Sequence, residues 1–527
     1  MSANSFYITT PIYYVNDSPH IGHAYTNIAS DIIARYARLH NMNVKFLTGT
    51  DEHGQKIEKA ANTLHVDTQD FVDKVSNRFR DLCATLNISN SDFIRTTETR
   101  HQNTVKDLWD KLYKNGDIYL DKYCGWYSIR DEAFYDSTEI NEGVAYTGSP
   151  VEWIEEPSYF FKLSKYEKKL LSFYENAPNF VKPSSRYNEV ISFVKRGLKD
   201  ISISRVSSKW GITVPNNPEH VIYVWLDALT NYVSGLNTKI DNISDKQSNT
   251  NQDNLNDSFW PANLHVIGKD ILKFHAIYWP AFLMSANIEL PRCIFAHGWW
   301  TNEGQKISKS LGNTIDPIAI VNEFGIDQFR YFLIREMTFG QDGNFSKANL
   351  IQRINTELSN KLGNLVQRVV SFIHKNCEGA IPQFNTENDN YCYDIYDTSL
   401  LLEAQQTVGN VDTLMFNYDL TGALNQIMYL VEKSNVYIDQ QAPWKLKKSD
   451  INLMNKVLCV MVEVIRYISI LLIPFMPNAS NKILDIIRVS KDNRNIGHLT
   501  RDHMLKFGHS INTPTIIFPT IQQLQSV

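Results

Sequence analysis

Apolar positions along the chain follow two periods, and the places where one gives way to the other divide it. Phe6-Tyr7-Ile8-Thr9-Thr10 reads as an extended run, after which Ala24, Ile28, Ile32, Tyr36 and Leu39 recur at the spacing of one buried helix face. That spacing predicts a helix beginning around Ala24. Val44-Lys45-Phe46-Leu47-Thr48 is a second short strand, and strand and helix alternate to about residue 115, the pattern of an open parallel sheet. Residues 116–209 change texture: Tyr119 to Phe134 is aromatic and turn-rich, and Tyr159 to Leu163 is a buried strand, so this stretch reads as an insertion with its own small core. Strand followed by helix returns around Val221 to Ala228, His265 to Ile271 and Ile294 to Trp299, within residues 210–348. Between them, Asn237 to Ser258 is rich in Asn, Asp and Ser and reads as a mobile surface loop. From Asn349 to residue 527 helical periods dominate. One helix is predicted from about Ile351 to His374 and another from Ile451 to Ile473, stopped by Pro474 and Pro477.

Composition narrows the class. A chain of 527 residues with 43% apolar side chains has material for two or three domains. Its apolar runs stop short of a membrane span, and the start enters a strand without a basic-then-apolar leader. The six cysteines lie far apart with no C-x-x-C pair, which implies reduced thiols, a cytoplasmic setting and no zinc site made from cysteine pairs. The formal charge of −5 argues against a chain that is basic throughout, while leaving room for a local basic face.

Three stretches carry chemistry. Pro19-His20-Ile21-Gly22-His23 falls at a strand-to-helix turn, where unpaired N–H groups and a partial positive charge favour phosphate, and where Gly22 lets a flat base approach the backbone. Gly49-Thr50-Asp51-Glu52-His53-Gly54 is a polar turn at a strand's carboxyl end, the side on which open parallel sheets bind ligands. Gly304-Gln305-Lys306-Ile307-Ser308-Lys309-Ser310-Leu311-Gly312 sets two lysines three apart between glycines, as suits a moving loop that neutralises phosphate. A Lys/Ser loop alone is usually a solvated surface; its pairing with the histidine turn is what gives it weight.

The His-Ile-Gly-His turn followed far downstream by Lys-Ile-Ser-Lys-Ser resembles the two signatures of class I aminoacyl-tRNA synthetases, with Ile307 where that family more often has methionine. The resemblance narrows to the methionyl-tRNA synthetases. It is carried by Thr10-Pro11-Ile12-Tyr13-Tyr14, the Gly49 to Gly54 turn, Tyr223-Val224-Trp225-Leu226-Asp227-Ala228, Phe295-Ala296-His297-Gly298 and Gln441-Ala442-Pro443-Trp444. It implies an α/β, Rossmann-like parallel-sheet catalytic domain (1–115 and 210–348) with an inserted connective domain (116–209). An all-α helical-bundle anticodon-binding domain (349–527) follows. It also implies methionine, ATP with Mg2+, and tRNA(Met) as partners, and a monomer of the bacterial or organellar type.

Site residues follow from the same resemblance. His20, His23, Lys306 and Lys309 would act on the ATP phosphates and pyrophosphate. Gly22, Gly268, Asp270 and Ser308 would bind the rest of ATP. Asp51, braced by Arg205, would hold the substrate ammonium, while Ile12, Tyr14, Trp225, Ala228, Tyr232 and His297 enclose the thioether. Leu229 stands where some relatives have proline. Asn364, Arg368 and Trp444 would read a CAU anticodon. Many relatives bind zinc in the insertion; here the corresponding positions are Ser128, Asp131, Val144 and Thr147, none a thiolate or imidazole, so no structural zinc is expected and packing by Trp126, Tyr127, Phe134, Tyr135 and Trp153 is expected to hold the insertion. Three other readings fit less of the chain. A small nucleotidyltransferase lacks the helical region and the lysine loop, a cysteine-specific synthetase needs zinc ligands in its pocket, and a non-catalytic RNA-binding relative would lose His20, His23 or Lys309.

Overall fold

The structure, a computed structural model, describes residues 5–16, 18–131, 133–135, 137–244, 259–307, 313–385 and 398–522. They form two compact units, one of Met1–Ser30, Val44–Ala84 and Ile88–Gly298, the other of Asp31–Asn43, Thr85–Asn87 and Trp299–Val527.

The first unit is built on a six-stranded sheet. Strands β1 (Ser5–Tyr14), β2 (Asn43–Asp51) and β3 (Asp92–Arg95) are followed outward from β1 on its other side by Leu264–Gly268, Ile294–His297 and Val181–Lys182, in the order β3, β2, β1, Leu264–Gly268, Ile294–His297, Val181–Lys182. Pairing is parallel, with Ile8 opposite Leu264, Gly268 opposite His297 and Thr50 opposite Arg95. Tyr7 to Thr10 of β1 are all buried, as a central parallel strand covered on both faces requires. Strand order reverses between β1 and Leu264–Gly268, and the crevice at such a reversal is where an α/β sheet takes its ligand. The core beneath it gathers Tyr7, Leu47, Trp109, Phe161 and Phe282. Each such side chain, fully buried, contributes about 1.5–3 kcal/mol.

The inserted segment forms its own antiparallel sheet of Ile201–Ser202, Glu152–Phe161, Ile118–Ser128 and Ala133–Tyr135. It also lends Val181–Lys182 to the edge of the central sheet, so it is stitched into the unit rather than hung from it. Its expected packing holds only in part. Tyr127 and Tyr135 are buried, whereas Trp126 and Trp153, opposite each other in the ladder, form an edge-to-face pair at 5.4 Å on a face where Trp153 is exposed. The side chain of Phe134 lies outside the described residues. At the positions the resemblance would assign to zinc ligands, Asp131 accepts hydrogen bonds from Tyr135 (2.6 Å), Ser149 (2.5 Å) and Thr147, and its N–H donates to Ser128 Oγ at 3.3 Å. Val144 offers no donor atom, so this set does not fit a thiolate-type metal centre.

The second unit is mostly helical. Ile451–Leu472 is buried from Val457 to Leu472 and ends as expected ahead of Pro474. The fully buried Arg330 donates to the carbonyls of Pro474 (2.7 Å) and Phe475 (3.0 Å) in the turn that follows and pairs with Asp31 at 2.7 Å, so those buried carbonyls have a partner. The helix expected from Ile351 to His374 is helical throughout but not α throughout. Lys347–Arg353 and Asn364–Asn376 are α-helical, and Ile354–Gly363 between them is wound wider, with i to i+5 bonds. A Cβ on Gly363 would come within 3.0 Å of the Leu358 carbonyl and 3.7 Å of Phe518 Cβ, so the glycine leaves room where the C-terminal segment packs. Residues 299–348, expected to complete the catalytic domain, belong to this unit.

Candidate active site

The helix after β1, α1, runs Ile21–Leu39, so the histidine turn is its cap and first turn rather than a loop before it. The His20 carbonyl accepts from the N–H groups of His23 (3.0 Å) and Ala24 (3.2 Å). The two rings stack at 3.8 Å. His23 Nδ1 accepts from the His20 N–H at 3.1 Å, and His20 Nδ1 accepts from the Gly22 N–H at 3.1 Å. A neutral imidazole carries one proton, so with both Nδ1 atoms accepting, each ring bears its hydrogen on Nε2 and presents a donor. Burial holds His23 well below the usual imidazole range and His20 beside it adds to the drop; His20, exposed at its outer edge, is lowered by the protein packed around it against the pull of Asp270. Two neutral donors therefore stand at a helix N-terminus, whose partial positive charge favours phosphate. A Cβ on Gly22 would meet His20 Cε1 at 2.9 Å, so the glycine is needed to let this ring fold back.

Asp270 gathers the neighbouring strand ends. It follows Leu264–Gly268, and a Cβ on Gly268 would come within 2.5 Å of its carboxylate. Its charge also opposes the lowering of His275 and His297. His297 Nε2 meets Thr26 Oγ1 of α1 at 2.8 Å and its Nδ1 the Gly298 carbonyl at 2.8 Å, so it ties strand to helix.

An aromatic wall stands on the next elements. Trp225, on helix Val224–Leu229, stacks on Phe274 at 3.7 Å and 5°. Tyr232 lies 4.1 Å over His265, and its hydroxyl is 2.6 Å from His275 Nε2. His275 Nδ1 faces the Ile271 carbonyl at 2.9 Å and must carry the proton, and burial lowers this histidine to about 4, so it is neutral and Tyr232 donates to it. Ala228 is buried beside them, Ile12 and Tyr14 are half-buried on β1, and Asp51 is buried at the end of β2. Sequence reading passed over Phe274 and His275. They follow the Gly-Lys-Asp turn at helical spacing, a pattern that plain core shares. Arg205, buried, has Glu156 Oε1 of the inserted sheet 3.6 Å away and donates to Ser202 Oγ at 2.8 Å, so Glu156 also shares the cation expected to brace Asp51.

In the second unit Lys306 lies on a hairpin whose two-residue turn, Glu303 and Gly304, has φ of 47° and 78°, the pair of positive angles that lets twisted strands meet. Ser308 and Lys309 lie outside the described residues. Asn364 and Arg368 share a face of Asn364–Asn376, and the Arg368 guanidinium lies 5.1 Å over the Trp444 ring and 2.5 Å from Asp439. Among the described residues no group of three or more His, Cys, Asp or Glu is placed to hold a metal ion.

A parallel sheet with stacked imidazoles at its switch point, in a chain that also carries a lysine hairpin, fits the class I aminoacyl-tRNA synthetases. Residues 6–149 and 137–370 match the family model for class I (M) tRNA synthetases, and residues 392–526 match the anticodon binding domain of methionyl tRNA ligase. The chain is 57% identical to the methionine–tRNA ligase of Rickettsia conorii over 98% of its own length and all of that protein, and 47% identical to that of Rhizobium meliloti over 98% of each. Its fold superposes on Mycobacterium tuberculosis methionyl-tRNA synthetase in complex with methionyl-adenylate with a TM-score of 0.90 at 44% identity, covering 98% of this chain and all of that one. The chain belongs to the methionyl-tRNA synthetase family.

Proposed function

We propose that the chain activates methionine with ATP to methionyl-adenylate and pyrophosphate, then transfers methionine to the 3′ end of tRNA(Met), reading the CAU anticodon. The carrying observation is the pair of neutral, Nε2–H imidazoles fixed at the switch point of the unit that also carries the aromatic wall of Trp225, Phe274 and Tyr232. The substrate carboxylate is already ionised at neutral pH, so its oxygen attacks the α-phosphorus without a general base while the bond to the bridging oxygen of pyrophosphate breaks. The protein has to position the reactants and stabilise charge on the phosphates. His20 and His23 donate to phosphate oxygens, with adenine against Gly22 and the ribose hydroxyls on Gly268 and Asp270. Lys306 and Lys309, with Ser308, take the leaving pyrophosphate. Asp51 receives the ammonium, supported by Arg205. Ile12, Tyr14, Trp225, Ala228, Tyr232 and His297 enclose the thioether, with His275 fixing the Tyr232 hydroxyl. Aromatic rings suit a polarisable sulfur. Mg2+ bound with ATP as part of the substrate would neutralise some of the phosphate charge. Asn364, Arg368 and Trp444 read and stack unpaired bases. The reaction is cytoplasmic and run by a monomer, and the inserted knuckle is metal-free.

Pyrophosphate exchange with each of the twenty amino acids tests the reading. Methionine is expected to give the largest rate, and a stronger response to any other amino acid overturns it. Elemental analysis tests the knuckle: stoichiometric zinc that resists a chelator contradicts the metal-free reading.

A further inference from the structure

Behind the aromatic wall lies a chain of buried polar groups that no step above uses. Asp227 is fully buried on helix Val224–Leu229. One carboxylate oxygen is 2.7 Å from His53 Nδ1 and the other 2.6 Å from His101 Nε2, and His101 Nδ1 is 2.8 Å from Ser234 Oγ. The other three groups are also buried. Each joins a different element. His53 follows β2, His101 lies on helix Thr99–Lys114, and Ser234 ends helix Asn231–Ser234. Burial alone raises a carboxyl pKa, but here the two imidazoles together outweigh it and hold Asp227 at about 2, so it is an ionised acceptor at neutral pH.

The register of this chain against the pocket decides its meaning. His53 is two residues past Asp51. Asp227 is two past Trp225 and one before Ala228. Ser234 is two past Tyr232. Outside β1, every group thought to touch methionine except His297 thus hangs within two residues of one hydrogen-bonded line. The turn holding Asp51 is pinned independently at its other residue: Glu52 receives Arg95 at 2.6 and 2.9 Å and Thr97 at 2.6 Å. Glu52 fixes the turn to the sheet, and His53 ties it to the helix carrying the aromatic wall.

The geometry points to Asp227, with His53 and His101, as the positioning residues that set the distance between the ammonium-binding carboxylate and the thioether pocket. This deepens the functional reading above and rests on it. A ligand held at both ends is sensitive to that distance, and a displacement of about 1 Å costs up to about a hundredfold. None of the three needs to touch the substrate, and the ATP groups on α1 and at Gly268 and Asp270 are outside the line. The effect therefore falls on methionine and not on ATP.

Methionine-dependent pyrophosphate exchange measures this on the full chain, with KM for methionine, KM for ATP and kcat determined separately. Asp227→Asn keeps the shape but supplies one donor and one acceptor where two acceptors are needed. His53→Ala removes one tie, and His53→Asn restores an N–H close to the position of Nδ1. We expect Asp227→Asn and His53→Ala to raise the methionine KM about tenfold or more with the ATP KM within about twofold, and His53→Asn to return to within about threefold of the parent. Methionine KM values within about twofold of the parent in His53→Ala overturn the proposal, as does an equal rise in both KM values, which marks general loosening. If Asp227→Asn does not fold, the His53 pair decides alone. A parent chain with no methionine-dependent exchange fails the functional reading instead, so the two failures are told apart.

Discussion

In the first unit the groups assigned to methionine are largely withdrawn from water, while His20 and Asp270 on the ATP side are exposed. Asp51 is 7% exposed, Tyr232 1% and His275 2%, and the His275, His297 and His23 rings have fixed partners. In the second unit Asn364 is exposed, Arg368 is half-buried and Trp444 is 41% exposed, with the cation resting on the indole and on Asp439. The difference follows from ligand size. A small substrate can be surrounded, so its donors can be fixed in advance in a low-dielectric pocket, where each is worth most. A folded RNA must be met at the surface, where groups stay solvated and wait on partners they can exchange.

The sharpest way to break this contrast is His23→Ala. Loss of one preorganised phosphate donor is expected to lower adenylate formation by about 10²-fold or more, and Lys309→Ala to do the same. Methionine binding measured without ATP is expected to stay within about twofold. Normal adenylate rates in an active-site titration of both variants would refute the assigned roles.

Trp444→Ala comes next. An exposed base-stacking ring is worth about 1–3 kcal/mol of tRNA affinity, read directly by filter binding. Arg368→Ala is expected to weaken charging of tRNA carrying CAU more than of a CAU-altered tRNA. Pyrophosphate exchange should stay near parental in both variants; equal losses in charging and exchange would mean that these residues maintain the fold.

The contrast also explains what could be read from the sequence. Strands, α1 and the long helix ending ahead of Pro474 are fixed by local periodicity and proline, which a sequence displays. The histidine turn was found, but its start was set three residues late, because the cap is made by His20's own carbonyl and by imidazole acceptors rather than by a Ser or Asp. His275, Phe274 and Glu156 went unread since each acquires its role from a partner distant in the chain. The wide helical segment before Asn364 has no periodic signature that separates it from an α-helix.

Acid probes the buried side of the contrast. Burial lowers His23 and His265 well below the usual range and His275 to about 4. Their unfolded pKa is about 6.5, so below that the unfolded chain binds more protons and stability falls as pH falls, by up to about 1.4 kcal/mol per pH unit for each histidine that stays neutral. Asp227 acts later: its folded value of about 2 lies below an unfolded value of about 3.9, so its contribution is intact above about pH 4 and lost between about 4 and 2. Urea midpoints of the parent are expected to drop from pH 7 to 5, and to drop less in His275→Gln. A flat profile over that range would mean these rings are solvated.

Asp439→Asn has the smallest expected effect and tests the exposed side most directly. Arg368 is shared between the Trp444 face and the Asp439 carboxylate, whose own side chain is 60% exposed. An exposed pair of this kind contributes about 0–1 kcal/mol to stability, so the fold should not notice its loss. The tRNA should. Asp439 is a negative charge beside a surface that must accept a polyanion, and it occupies the guanidinium that bases or phosphates would take. Removing the charge is expected to tighten tRNA binding by up to about fivefold, an effect that shrinks as salt rises because both charges are screened. Binding that weakens instead would show that Asp439 aims Arg368, which would make the helical surface preorganised in the manner of the buried pocket. Affinities measured at two salt concentrations, alongside the thermal midpoint, separate the two outcomes.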